Sequence, residues 1–186
     1  MAVIVGAIGA VIGSGGAANS AEDYTYQAQV SEQTESYRDM VEDYCEKYGI
    51  DDYVDLCLAV IEQESGGNPP DVMQTEQSYY NVNPPIDTVE ESIDCGTHEL
   101  SDCLTKAKSK SPNDIKGISL ALQGYNFGSG YIDWALKNYG CYSKENAEIF
   151  SKKMCVELGY DSYGDVEYVP HVLRYLHSQS GNYGYK

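Results

Sequence analysis

Residues 61–67 read Ile61-Glu62-Gln63-Glu64-Ser65-Gly66-Gly67 and run into Asn68-Pro69-Pro70. The segment before them is apolar, with Leu56, Cys57, Leu58, Ala59, Val60 and Ile61 in succession. Asp51 or Asp52 is a natural cap for a helix through this stretch, and the Gly-Gly-Asn-Pro-Pro run stops it. Glu64 lies three, four and seven residues after Ile61, Val60 and Cys57. Helical spacing therefore puts its carboxyl on the apolar face, whereas Glu62 sits above Leu58 and Asp55 on a mixed face. Burial disfavours the charged form of a carboxyl, and the negative end of the helix dipole pushes the same way. An acid that keeps its proton near neutral pH can deliver it to a leaving oxygen. Gly66 and Gly67 would admit a bulky ligand close to the backbone.

The pattern on either side is helical. Tyr37, Met40, Val41, Tyr44 and Cys45 recur at three and four residues, with Gly49 as a stop. Residues 71–85 lack a helical period and predict a loop or a short strand pair. A long helix is expected from Asp87 or Thr88 to Lys108, with Val89, Ile93, Gly96, Leu100, Cys103 and Ala107 on one face. Asn113 caps a helix over Ile115 to Gln123, and a short helix covers Tyr131 to Leu136. Another follows Ser143, with Ala147, Phe150, Met154, Cys155 and Leu158 inward, and a last one follows Pro170. No alternating run is long enough for a large sheet. The expected architecture is mainly α: a single domain over 36–177 with a substrate cleft, preceded by an apolar leader and linker over 1–35 and followed by a flexible tail over 178–186.

The chain has 186 residues, 29 acidic against 12 basic, for a net charge of −17. This length suits one domain. The acidity argues against nucleic acid and anionic lipid as partners, since both need clustered Lys and Arg. Tyrosine occurs 18 times against 2 Phe and 1 Trp; rings with hydroxyl tips suit grooves that bind polar ligands. The apolar run from Met1 to Ile12 is too short to span a bilayer but matches a secretory core with small residues after it. It predicts an extracellular chain or one anchored to the surface through this segment. Six cysteines agree with an oxidising compartment and with disulfides of unspecified pairing. Cys95 and Cys103 pair with each other only if their shared helix breaks, for instance at Gly96. No CxxC or HExxH motif occurs, and neither a metal nor a cofactor is expected.

Four motifs occur in order: Glu64-Ser65, then Asp71-Val72-Met73-Gln74, then Gln123-Gly124-Tyr125-Asn126-Phe127-Gly128, then Tyr168-Val169-Pro170-His171. Together they resemble the goose-type lysozyme and soluble lytic transglycosylase superfamily. Within it, the chain looks most like the lysozyme-like (muramidase) domain of cell-wall hydrolases from Gram-positive conjugative elements. The resemblance covers about residues 35–176. It implies a glycosidase acting on peptidoglycan glycan strands at the β-1,4 bond between N-acetylmuramic acid and N-acetylglucosamine, with Glu64 as catalytic acid. Ser65 would help hold Glu64 or the sugar, Met73 and Gln74 would line the cleft beside the scissile bond, Tyr125 and Asn126 would face the muramoyl sugar, and Tyr168 would close the cleft near Glu64.

It also implies local wall opening for a conjugative secretion machinery as partner. Asp71 is the first choice for a second catalytic carboxylate, with Glu76 behind it. Attack by the sugar's own 6-hydroxyl, as in a lytic transglycosylase, needs no second carboxylate. A glycan-binding module without catalysis is the rival from another class. Two departures stand out: Asp71-Val72 replaces Gly-Leu, and Gly124 replaces the usual Ala.

Overall fold

The computed structural model describes residues 26–178. Strand β1 (Tyr26–Ala28) pairs antiparallel with β2 (Leu176–Ser178), Tyr26 facing Ser178. Between them run α1 (Glu32–Glu35), α2 (Arg38–Tyr48), α3 (Val54–Ser65), α4 (Val89–Ala107), α5 (Ile115–Phe127), α6 (Gly130–Asn138), α7 (Lys144–Leu158) and α8 (Tyr168–Leu173). The domain is mainly α, as the periodicity predicts.

Helix α3 is the central element. Six consecutive residues, Leu56 to Ile61, are buried on every side, the pattern of a helix enclosed by others. It is packed by α1, α2, α8 and the β1–β2 ribbon, while α4 and α5 pack on each other and α5 also meets α6 and α8. Helix α4 starts where the sequence indicates: the Thr88 hydroxyl accepts from the Glu91 N–H, and the Glu91 carboxylate accepts from the Thr88 N–H at 3.1 Å. Ser143 caps α7 in the same reciprocal way with Asn146.

Several expectations are corrected. Residues 26–35 are not a linker: they carry β1 and α1, and Thr34 is fully buried. The polar composition hid this because Ser31 and Thr34 hold the segment by hydrogen bonds to Glu62, and only Ala28 and Val30 add apolar packing against the core. Ser178 belongs to β2, not to a tail. Of the two alternatives for residues 71–85, the loop is the one found: the segment holds turns and no strand. Asp114, not Asn113, caps α5, accepting from the Gly117 N–H at 3.1 Å.

Helix α5 also continues past Gln123 to Phe127, with Gly124 a close-packing position inside it. A Cβ at 124 would stand 2.4 Å from Ile132 Cγ1 and Cδ1. Leu158 is 46% exposed and not inward. The expected apolar leader and the tail beyond Ser178 lie outside the described residues.

All six cysteines are free thiols. Helix α4 is unbroken through Gly96, which holds Cys95 and Cys103 apart and excludes their pairing. Cys45 and Cys57 face each other in the core between α2 and α3, with sulfurs 3.5 Å apart. No described helix is long and apolar enough to cross a membrane.

Candidate active site

The last turn of α3 delivers two carboxyls to different surroundings. Glu62 turns toward the N-terminal segment. One of its oxygens accepts from Thr34 Oγ1 at 2.5 Å, Ser31 Oγ at 2.8 Å and the Ser31 N–H at 3.2 Å. Burial pushes this carboxyl up, but the hydrogen bonds to its charged form outweigh that and hold it below the ordinary carboxylate range.

Glu64 faces the other way, into a cleft of about 390 Å³ that it lines with Gln74, Ser78, Glu99, Tyr125 and Asn126. Burial pushes its carboxyl up to about 7, against the opposing pull of a hydrogen bond from Tyr168. The negative charges of Asp71, Asp165 and Glu99 add to the upward push. The Tyr168 hydroxyl donates to Glu64 Oε1. Burial and the neighbouring Glu64 keep that phenol protonated well above its ordinary range, so it remains a donor. Oε2 is thereby left to carry the acid's proton.

Tyr125 stacks on Tyr168, ring centroids 6.5 Å apart, and its hydroxyl donates to the Met73 carbonyl at 3.0 Å. Asn126 Oδ1 accepts from the Asp165 N–H at 2.7 Å, Gln123 Nε2 donates to the Asp165 carbonyl at 2.9 Å, and Tyr163 donates to the Phe127 carbonyl at 2.7 Å. The Gln123-to-Phe127 motif thus fastens residues 163–165 as one wall of the cleft and leaves the Asn126 amide NH₂ for a ligand.

The opposite wall is the turn at Asp71–Glu76. Asp71 Oδ1 accepts from Ser92 Oγ at 2.7 Å, the Thr75 N–H at 2.8 Å and Thr75 Oγ1 at 3.0 Å; Oδ2 accepts from the Glu76 N–H at 3.0 Å. Asp71 organises this turn. Gln74 follows with φ of 54° and projects into the cleft, its amide held on the Asp71 carbonyl at 2.9 Å.

The remaining sequence candidates have different places. Met73 is fully buried against Gly96 and supports the cleft from behind without lining it. Ser65 touches neither Glu64 nor the cleft; its hydroxyl donates to the Val72 carbonyl at 2.8 Å and ties α3 to the turn. Glu76 is exposed and outside the cleft lining. Gly67 makes room for α1 and not for a ligand, since a Cβ there would meet Thr34 Oγ1 at 2.8 Å. Glu99 was missed. It is three residues after Gly96 and four before Cys103, and that spacing on the buried face of α4 was the available signal. Burial raises its carboxyl, Ser78 opposes, and Asp102 adds to the rise. Among the described residues, no group of three or more His, Cys, Asp or Glu could hold a metal ion.

The family profile described as Lysozyme-like matches residues 31–186, which is most of the chain. The chain belongs to the lysozyme-like family. It is 36% identical over 153 residues to the bifunctional muramidase/DL-endopeptidase CwlT of Bacillus subtilis, covering 82% of this chain and 44% of that protein. It is 33% identical over 117 residues to a pneumococcal vaccine antigen A homolog of Streptococcus pyogenes, 63% of this chain and 57% of that one. A crystal structure from Staphylococcus aureus, described as similar to a lipoprotein of the NLP/P60 family, superposes with a TM-score of 0.70 at 32% identity. That match covers 82% of this chain and 55% of the other. The chain thus spans about half the length of these relatives. In this lysozyme-like domain the four sequence motifs, far apart in the chain, meet around a single cleft.

Proposed function

We propose that this lysozyme-like domain is a peptidoglycan muramidase that cleaves the β-1,4 bond between N-acetylmuramic acid and N-acetylglucosamine, with Glu64 as general acid. One observation carries the reading: a carboxyl pushed up to about 7 has one oxygen fixed by Tyr168 and opens into a cleft lined by amides and phenols. Glu64 Oε2–H gives its proton to the glycosidic oxygen as the bond from C1 to that oxygen breaks. Water then adds to C1 of the muramoyl sugar, and its proton returns to the Glu64 carboxylate. Asn126 and Gln74 are placed to hold N-acetyl and hydroxyl groups, and Tyr125 offers its ring to the muramoyl sugar. Asp71 supplies negative charge that favours the cationic transition state. Cleavage outside the cell or at its surface, opening the wall locally for conjugative transfer, is the role that the resemblance of the sequence motifs implies for this chemistry.

A second reading is favoured by Asp71 itself. Its Oδ1 accepts three hydrogen bonds and its Oδ2 one, all from its own turn and α4, and Asp71 lies outside the cleft lining, which favours a role in holding the turn over one in activating water. Attack by the muramoyl 6-hydroxyl would then close a 1,6-anhydro ring, with the hydroxyl proton passing to Glu64. Mass spectrometry of muropeptides released from purified walls decides between them. Reducing muramoyl ends support hydrolysis, and 1,6-anhydro ends support transglycosylation. Walls that are bound but never solubilised would overturn both readings in favour of a glycan-binding module.

A further inference from the structure

The backbone of Asp165 is clamped to α5 by Asn126 and Gln123, while its side chain engages α8. Oδ1 accepts from the Glu167 N–H at 2.8 Å, just ahead of that helix. Oδ2 lies 2.6 Å from Nδ1 of His171, one turn farther along. An ionised carboxyl only accepts, so the ring donates from Nδ1. The Asp165 carbonyl also accepts from the Tyr168 N–H at 3.2 Å. Gly164, with φ of 57°, lets the segment lie this close to α5, since a Cβ there would stand 2.7 Å from Asn126 Oδ1.

Helix α8 has six residues, and a helix so short does not hold itself together. Yet it carries Tyr168, the donor to Glu64. Asp165 therefore joins the cleft wall to the seat of that phenol. Its charge reaches the acid as well, being one of those that push the Glu64 carboxyl up. The other titratable groups facing Glu64 are Tyr168 of α8, Tyr125 of α5, Asp71 of the turn and Glu99 of α4. Those around Asp165 are His171, Tyr142 and Glu167, and the last is paired with Lys144 of α7. His171 is the group that can bring a positive charge into contact with Asp165.

We infer that Asp165 and His171 are positioning residues for the acid: the pair locks α8 to the cleft wall and so seats Tyr168 against Glu64. The inference rests on the muramidase reading and adds to it two residues that do not line the cleft.

The first test follows the protonation of Glu64 by its side-chain carbon-13 shift, assigned by its loss in Glu64→Gln. Asp165→Asn keeps the shape of the side chain but removes its charge, so the midpoint should fall, by roughly half a pH unit. In His171→Ala the charge stays while Tyr168 loosens, so the midpoint should rise. The second test measures release from purified walls at about pH 5, where Glu64 keeps its proton in every variant. His171→Ala should cost at least about fivefold through lost orientation of the acid. In a Tyr168→Phe background the same change should cost less than about twofold, because the contact it supports is already gone. His171→Asn, whose amide nitrogen can stand where Nδ1 stands, should keep most of the rate.

Midpoints that do not move in these opposite directions would overturn the pair's role. So would a loss in His171→Ala that is equally large without the Tyr168 hydroxyl, the mark of a merely structural residue. Either result leaves the muramidase reading standing. Wild type that releases nothing from walls would overturn that reading and this inference with it.

Discussion

The Tyr168 hydroxyl reaches Glu64 Oε1 across 104 residues of sequence. Helix α8 is short, but Tyr168, Val169 and Val172 are all buried in its packing, which gives the phenol a fixed seat. The contact fixes Oε1 as the acceptor of the phenol, and in the proposed mechanism it leaves Oε2 to carry the proton that is given up.

Glu64→Gln should fold normally and lose at least about 100-fold in wall-solubilising activity, the lower range for removing a general acid. Turbidity loss of purified walls, normalised to folded protein by circular dichroism, measures it. Activity close to wild type would reject Glu64 as the acid.

Activity should fall as pH rises through about 7, where Glu64 gives up its proton. In Tyr168→Phe a hydrogen bond that favours the ionised carboxylate is gone, so the descending limb should move to higher pH. Rate-versus-pH curves for the two proteins test the sign. A limb that moves downward contradicts the assigned donor and acceptor.

The same carboxyl ties stability to pH independently of catalysis. Its value rises from 4.5 to about 7 on folding, so between those limits the native state keeps a proton that the unfolded chain has released. This contribution to stability is whole below 4.5 and declines up to about 7, by on the order of 3 kcal/mol. Gln does not titrate. The Tm of Glu64→Gln minus that of wild type should therefore grow by several degrees from pH 4.5 to pH 8, at roughly 2–4 °C per kcal/mol for a domain of this size. A difference that stays flat across the scan would show that the side chain is solvated.

Gly124→Ala should destabilise the fold by about 1–3 kcal/mol, because Ile132 already fills the space its Cβ would take. Ile132→Ala in the same protein should recover part of that cost. In a denaturation cycle the double variant should be less destabilised than the sum of the singles. Strict additivity would mean that the two helices adjust their spacing instead.

Much of the helical frame was legible because burial is periodic. The apolar face that ends at Glu64 and the Thr88–Glu91 box are local signals, and a single stretch of chain contains each of them. What escaped lies in contacts between distant stretches. The N-terminal segment reads as polar linker because it is held by Ser31 and Thr34 on Glu62, which no periodicity encodes. Glu99 reads as one more acid on a long helix until the turn carrying Ser78 is folded over it. Gly124 reads only as a departure from the family's usual Ala until Ile132 is set beside it. Met73 and Ser65 were expected at the ligand and are found beneath it, since the motif that builds a cleft includes the residues that brace it.

The ribbon of β1 and β2 has a mechanical meaning. Tyr26 and Ser178 pair at one end of it, and Ala28 donates its N–H to Asp55 Oδ1 at 3.0 Å, at the start of the helix whose last turn bears the acid. Tension applied through the two flanks would peel three residue pairs apart one after another, the weak direction for an antiparallel ladder, before any load reached that helix. Single-molecule stretching from these two points should therefore register a low-force opening first, while the groove at the other end of α3 keeps its shape.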